Sequence, residues 1–334
     1  MKKLAVIGGG AWGTALATLA CKAAGGTEGG ETALWARNAD VVADINAGRG
    51  NPRYLPDIDL TPAPKATADL RDAVAGAEIV LLVTPAQALR DVTRALVSHL
   101  EPGAALVVCA KGVEQGSLKP MTMVLAEEAP GHPALILSGP TFAREAALGL
   151  PTAFVVAGKD RAIVDAVCTR IALPTFRPYA SDDVTAVEMG GAVKNVLAIA
   201  CGIVSGRELG ENAKAALITR GLAEAGRLIA ALGGRMETVH GLSGMGDLVL
   251  TAGSLQSRNM SLGFALGQGK TLEQILGARR AVTEGVWTAS AIIDMAREYG
   301  VDMPICAAVN DIVTEGKDID RVIGGLLSRP LTEE

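Results

Sequence analysis

At 334 residues, with 49% apolar residues but only 3% aromatics, the chain is long enough for two cored domains rather than one. A net charge of −5 and a pI near 5.4 give no support to a basic nucleic-acid surface, and no uncharged apolar run of about 18 residues suggests a membrane span. The five cysteines, Cys21, Cys109, Cys168, Cys201 and Cys306, include no Cys-x-x-Cys pair and lie mostly in apolar runs, which predicts buried thiols in a protein of the reducing cytoplasm.

Two lysines precede the first apolar run, as in a signal peptide, but Gly8-Gly9-Gly10 ends that run too early. Lys3–Ile7 instead predicts a strand. It is followed at once by Gly8-Gly9-Gly10-Ala11-Trp12-Gly13 and then by a helix pattern, TALATLACKAA. Strand, G-x-G-x-x-G and helix in that order form a dinucleotide fingerprint in its required context. Gly8 would make the tight turn, Gly10 admit a pyrophosphate, and Gly13 let helix and strand pack closely. The helix start would then offer free N–H groups and a positive dipole to the phosphates. Thr32–Ala36 predicts a second strand ending at Arg37. An acid is usual there for NAD; an arginine would welcome a 2′-phosphate, so NADP is allowed beside NAD. A plain surface arginine fits that position equally well.

After a proline-rich connection over 51–66, the segment ADLRDAVAG predicts a helix and Glu78–Val83 a buried strand. A helix over Gln87–Leu100 and a strand over Ala104–Ala110 follow, the latter ending in Lys111-Gly112. Ala134–Leu137 repeats the format and ends in Ser138-Gly139-Pro140-Thr141; Pro151–Ala157 and Thr175–Tyr179 predict further strands. Short continuous apolar strands separated by helices imply a mostly parallel sheet covered on both faces. Ligands bind beyond the carboxyl ends of such strands, where Lys111 and the SGPT turn are expected.

At Asp182-Asp183, an acidic helix start, the composition changes, and only helices are predicted beyond it. The expected domains are 1–182 and 183–334. Val184–Gly206 predicts one long helix, apolar almost all round after Asn195. Adjacent Gly190 and Gly191 are unfavourable there, at up to ~1 kcal/mol each against alanine. Lys194, one turn later, would lean over the bare surface they leave, with room for a ligand to approach its amine. A lysine snorkelling beside a glycine helix contact fits the same residues. Glu211–Ala231 predicts a second long helix, GLSGMGD a turn presenting Asp247, and Ser257-Arg258-Asn259 a hydroxyl cap, a phosphate fork and an amide. His99, His132 and His240 form no acid/base constellation, and no metal-ligand spacing appears.

Taken in order, GGGAWGTALA, LWARN, VTPAQALR, AKGVE, SGPTFA, EMGGAVKNVLAIACGI, GLSGMGDLVLT, SRN and VTEG resemble the bacterial NAD(P)-dependent glycerol-3-phosphate dehydrogenase family over nearly the whole chain. The resemblance implies an α/β fold, with an N-terminal Rossmann-like, mostly parallel sheet domain and a C-terminal all-helical domain for substrate and catalysis. It implies a cytoplasmic homodimer, with no nucleic-acid or membrane partner, that reduces dihydroxyacetone phosphate to sn-glycerol 3-phosphate for phospholipid synthesis. Lys194 matches the family's catalytic lysine. Lys111, Gly139, Thr141, Asn195, Asp247, Ser257, Arg258 and Asn259 match its substrate positions. Trp12, Arg37, Ala143, Val282 and Glu284 match cofactor positions, with Gly8, Gly10, Gly13, Lys111 and Arg258. Ala11 stands where the family commonly has serine, so backbone donors would serve the pyrophosphate there.

On this pattern Lys194 would polarise the substrate carbonyl and donate a proton, held by Asp247 and Asn195, while Arg258 forks the phosphate. Lys111 and Arg258 would lower the Lys194 pKa and Asp247 raise it, with the balance open. Two other readings compete. A β-hydroxyacid dehydrogenase of the 6-phosphogluconate type lacks the GDLVLT and SRN stretches. A non-catalytic nucleotide sensor would leave Lys194 unexplained.

Overall fold

The computed structural model describes residues 3–25, 30–277 and 283–330. Two compact units divide the chain: one runs to Ala110 and resumes over Pro120–Val187, and the other combines Lys111–Lys119 with the residues from Glu188 onward.

The first unit is built on eight strands: β1 (Leu4–Ile7), β2 (Thr32–Trp35), β3 (Lys65–Thr67), β4 (Ile79–Leu82), β5 (Ala105–Val108), β6 (Ala134–Ser138), β7 (Thr152–Ala157) and β8 (Phe176–Ser181). They form one sheet in the order β3-β2-β1-β4-β5-β6-β7-β8, parallel at every pair except β6 with β7. Chain order reverses at β1, whose Leu4 pairs with Thr32 on one side and Ile79 on the other. That reversal opens a crevice at the strands' carboxyl ends, where the glycine loop begins. Leu4–Ile7, Ile79–Leu82 and Ala105–Val108 are wholly buried, as continuous apolar strands between two helical layers must be. Each large aliphatic side chain so buried contributes roughly 1.5–3 kcal/mol before entropy is counted. Phe154 and Phe176 stack at 4.3 Å across β7 and β8. Buried Arg170 donates to Ala20 O at 2.9 Å and to Thr32 Oγ1 at 3.1 Å, tying the first helix to the start of β2.

The structure departs from the sequence pattern in places with physical reasons. β3 begins at the end of the stretch expected to be a proline-rich connection, 51–66, and runs one residue past it. Its three residues carry no apolar alternation; it forms because β2 offers a ladder and the Asn46 side chain bonds both backbone groups of Ala66. The expected Gln87–Leu100 helix is a regular Leu89–Leu96 helix with a 3-10 turn at each end.

In the second unit helices follow one another, and no strand occurs after Ser181 among the described residues. The Val184–Gly206 helix is long and apolar enough, at a mean hydropathy of 1.5, to cross a membrane, yet its apolar stretch is wholly buried within the protein. It is a core helix. Asp183 caps its start, accepting from Ala186 N at 3.0 Å. Near its end it meets the Arg258–Gly267 helix backbone to backbone. A Cβ on Gly202 would lie 2.3 Å from Met260 O, and one on Gly263 would lie 2.0 Å from Ile199 O. Gly202-x3-Gly206 and Gly263-x3-Gly267 therefore face each other, which fixes the two helices closely. The Glu211–Ala231 helix places buried Glu224 at the start of the Pro304–Val313 helix, where it accepts from Ile305 N at 2.7 Å and Cys306 N at 3.1 Å.

Candidate active site

In the first unit, the loop from β1 to the Ala11–Ala24 helix has little freedom. Gly8 has φ +135° and donates to Trp35 O at 3.0 Å. A Cβ there would sit 2.5 Å from Val83 O, and one on Gly13 would sit 1.8 Å from Gly8 O. Gly10 is the exception: a Cβ there would have nothing within 4 Å. Protein packing therefore explains Gly8 and Gly13, while Gly10 faces open space. Gly10 is also the N-cap and offers no side-chain acceptor to the first-turn N–H groups. Open space before uncapped donors at a helix N-terminus fits a pyrophosphate. Half-buried Ala11 and Trp12 begin this helix, with the Trp12 ring 6.4 Å from Phe176. Arg37 is exposed just beyond β2. Past β4 and at the end of β6, the Thr84 and Ser138 hydroxyls are buried without hydrogen-bond partners. Gly139 follows at φ +151°, Thr141 donates to Gly139 O at 3.2 Å, and half-buried Ala143 opens the Ala143–Ala147 helix.

In the second unit, three separate segments converge on one carboxylate. Asp247 is 1% exposed and opens the Asp247–Ala252 helix. Its Oδ2 accepts from Lys111 Nζ at 2.5 Å, and its Oδ1 lies 3.2 Å from Lys194 Nζ. Lys194, 9% exposed, also donates to Thr251 Oγ1 at 2.8 Å, and Thr251 donates to Asp247 Oδ1 at 3.3 Å. Burial is the largest influence on Lys194. Asp247 opposes it, Lys111 and Arg258 reinforce it, and the pKa falls to about 8. A cavity of about 10 Å³ beside this lysine, lined by Leu197, Leu222, Val239 and Leu248 among others, offers water few polar partners. Burial likewise pushes the Asp247 carboxyl up, but the two ammonium groups more than offset this and hold it below its usual value. The balance left open by sequence is thus decided by desolvation.

Residues 3–164 match the model for the N-terminus of NAD-dependent glycerol-3-phosphate dehydrogenase, and residues 183–324 match that for its C-terminus. A Rhodospirillum rubrum protein named glycerol-3-phosphate dehydrogenase (NAD(P)+) is 56% identical over 332 residues, covering 99% of this chain and 93% of its own. The chain belongs to the glycerol-3-phosphate dehydrogenase family. A Caulobacter vibrioides protein of the same name is 54% identical over 333 residues, 100% of this chain and 99% of its own. The crystal structure of glycerol-3-phosphate dehydrogenase from Coxiella burnetii is 36% identical with a TM-score of 0.92, covering 98% of this chain and 99% of that one. The α/β fold class expected from sequence holds for this family member.

Several expected placements change. The surface left by Gly190 is not bare: a Cβ there would lie 3.2 Å from Gly244 Cα and from Ser243 O. The glycine admits the Ser243–Gly244 backbone rather than a ligand. Asn195 does not hold Lys194. Its Nδ2 donates to Lys111 O at 3.3 Å, and its Oδ1 accepts from Asn259 Nδ2 at 2.8 Å. Asn259 Oδ1 in turn accepts from Gly285 N at 3.0 Å, so the two amides brace the start of three segments. Ser257 caps the Arg258–Gly267 helix, accepting from Met260 N at 3.2 Å, and leaves Arg258 exposed. Glu284, half-buried, opens the Glu284–Glu298 helix. Val282 lies outside the described residues. GLSGMGD is no free turn: Leu242–Gly246 is a π-helical turn running into the Asp247 helix. The partner that sequence reading missed is Thr251. Its signal was the i, i+4 spacing from Asp247, visible only once Asp247 is placed on a helix.

Proposed function

We propose that this chain reduces dihydroxyacetone phosphate to sn-glycerol 3-phosphate with NADPH or NADH, reversibly, in the cytoplasm, and so supplies glycerophospholipid synthesis. The observation that carries the reading is one buried carboxylate, Asp247, holding two lysine ammonium groups, Lys111 and Lys194, in a member of this family. Residues 1–182, apart from the Lys111–Lys119 segment that groups with the second unit, serve as the dinucleotide-binding domain, and 183–334 with that segment as the substrate and catalytic domain. Gly8, Gly10, Ala11, Trp12 and Gly13 form the cofactor loop, with Gly10 admitting the pyrophosphate, and Arg37 faces an adenosine 2′-phosphate when NADP is used. Ala143, Val282, Glu284, Lys111 and Arg258 complete the cofactor contacts.

When bound, the reduced nicotinamide supplies a hydride to the substrate's carbonyl carbon. The chain supplies the rest. Lys194 Nζ polarises the carbonyl oxygen and transfers its proton there; in the reverse direction its neutral amine takes the proton back. A pKa near 8 leaves the group protonated at neutral pH yet weakens its hold on that proton. Asp247 and Thr251 orient the ammonium. The exposed Arg258 guanidinium forks the substrate phosphate, with Lys111, Gly139, Thr141, Asn195, Ser257 and Asn259 completing the substrate set. We further propose a homodimer, which light scattering would report as twice the 34.1 kDa chain mass.

The test is direct: mix the purified protein with dihydroxyacetone phosphate and either NADPH or NADH, and follow reduced-nicotinamide absorbance. Turnover that requires the substrate phosphate supports the reading. Protein that binds cofactor but turns over neither mixture would rule it out.

A further inference from the structure

The residue that aims the glycine loop stands outside it. Asn51 lies 38 residues beyond Gly13 in the proline-rich connection, yet it is buried like a core residue, at 1% exposed. Its Nδ2 donates to Gly9 O at 3.1 Å and to Thr14 Oγ1 at 2.8 Å, and its Oδ1 accepts from Tyr54 N at 3.2 Å. A buried amide with both ends satisfied is costly to disturb, because each partner it leaves is a desolvated polar group.

The consequence lies in the peptide plane. Gly8, Gly9 and Gly13 are confined by close approach, the Gly9 α-carbon by Ala36, whose Cβ would lie 2.4 Å from a Cβ added there. Such contacts fix where the loop runs but leave the Gly9–Gly10 plane able to rotate, since glycine accepts nearly any φ and ψ. In a planar trans peptide the carbonyl and the following N–H point in opposite directions. By holding Gly9 O inward, Asn51 turns the Gly10 N–H outward, at the one loop glycine that faces open space. Its second bond, to Thr14, ties the same plane to the first turn of the helix.

We propose that Asn51 is a positioning residue for the dinucleotide, holding the Gly9–Gly10 peptide with its N–H toward the pyrophosphate. This rests on the Gly8–Gly13 loop being the cofactor cradle. Asn51 touches no substrate; it acts through the peptide it holds.

The test compares NADPH dissociation constants, measured by fluorescence titration, with kcat and the KM for dihydroxyacetone phosphate at saturating NADPH. Asn51→Ala and Asn51→Asp remove both donated bonds, and Asp also places a carboxylate against Gly9 O. Each should weaken NADPH on the order of tenfold or more while kcat and the substrate KM stay within about twofold. Thr14→Val deletes only the helix arm and should leave NADPH affinity within about threefold, even if the protein melts earlier. Equal loss of cofactor affinity in Thr14→Val, unchanged affinity in both Asn51 variants, or Asn51 variants that do not fold would each overturn the positioning role. Wild-type protein that binds neither NADPH nor NADH would overturn the cradle itself, and that result is seen before any variant is made.

Discussion

The glycine loop of the first unit and the lysine–aspartate cluster of the second are made from opposite materials. The loop works through backbone: its donors are peptide N–H groups, its shape comes from missing side chains, and all its glycines fall within six consecutive residues, Gly8 to Gly13. The cluster works through side chains. Lys111, Lys194 and Asp247 are separated by 136 residues from first to last, and the ionisation of Lys194 and of Asp247 is set by burial together with the charged neighbours of each. A backbone site tolerates changes that leave the chain's path alone, whereas a buried charge cluster responds to the loss of any member.

The sharpest way to break that contrast is Lys194→Ala. Removing the proton donor should lower kcat by ~10²–10⁴-fold, the usual span for a general acid, with the NADPH dissociation constant within about twofold, as steady-state kinetics and fluorescence titration would show. Equal losses in both would make Lys194 structural. Next comes Asp247→Asn, which takes its anion from the buried Lys194 ammonium and from half-buried Lys111. Breaking such a pair costs ~3–5 kcal/mol, read from urea unfolding, and the Lys194 pKa should fall further below 8 because the opposing charge is gone. Two glycine substitutions then separate the materials. Gly263→Ala drives a methyl into the Ile199 carbonyl and should cost ~1–3 kcal/mol of stability. Gly10→Ala meets no protein atom, so the unfolding midpoint should barely move while NADPH binding weakens. The smallest effect expected is on cofactor choice: Arg37→Asp should weaken NADPH about tenfold more than NADH, the value of one charged hydrogen-bonding partner. An unchanged ratio would remove Arg37 from the selectivity account.

The same contrast explains what the sequence disclosed. Strand, glycine loop and helix are contiguous, and the apolar runs of β1, β4 and β5 announce buried parallel strands. β3 escaped because three residues, KAT, carry no periodicity and depend on a neighbouring strand and on Asn46. Lys194 was legible as a polar residue in an apolar helix, but its partners were named through family resemblance, since nothing local ties Lys111 to Asp247. The role of Asn195 was misjudged for the same reason: its neighbours Lys111 and Asn259 are distant in sequence, and adjacency to Lys194 on one helix points the two side chains apart.

The central claim is that Lys194, its pKa lowered by burial and held by Asp247, moves the proton of the reaction. The pH dependence of kcat/KM in both directions tests it most directly, because it reports the ionisation of the free enzyme. Reduction needs the ammonium, so its rate should be level below about pH 8 and fall above it. Oxidation needs the neutral amine, so its rate should climb through the same pH. Opposite limbs meeting near pH 8 would support the claim. The same slope in both directions, or no inflection in that region, would contradict it.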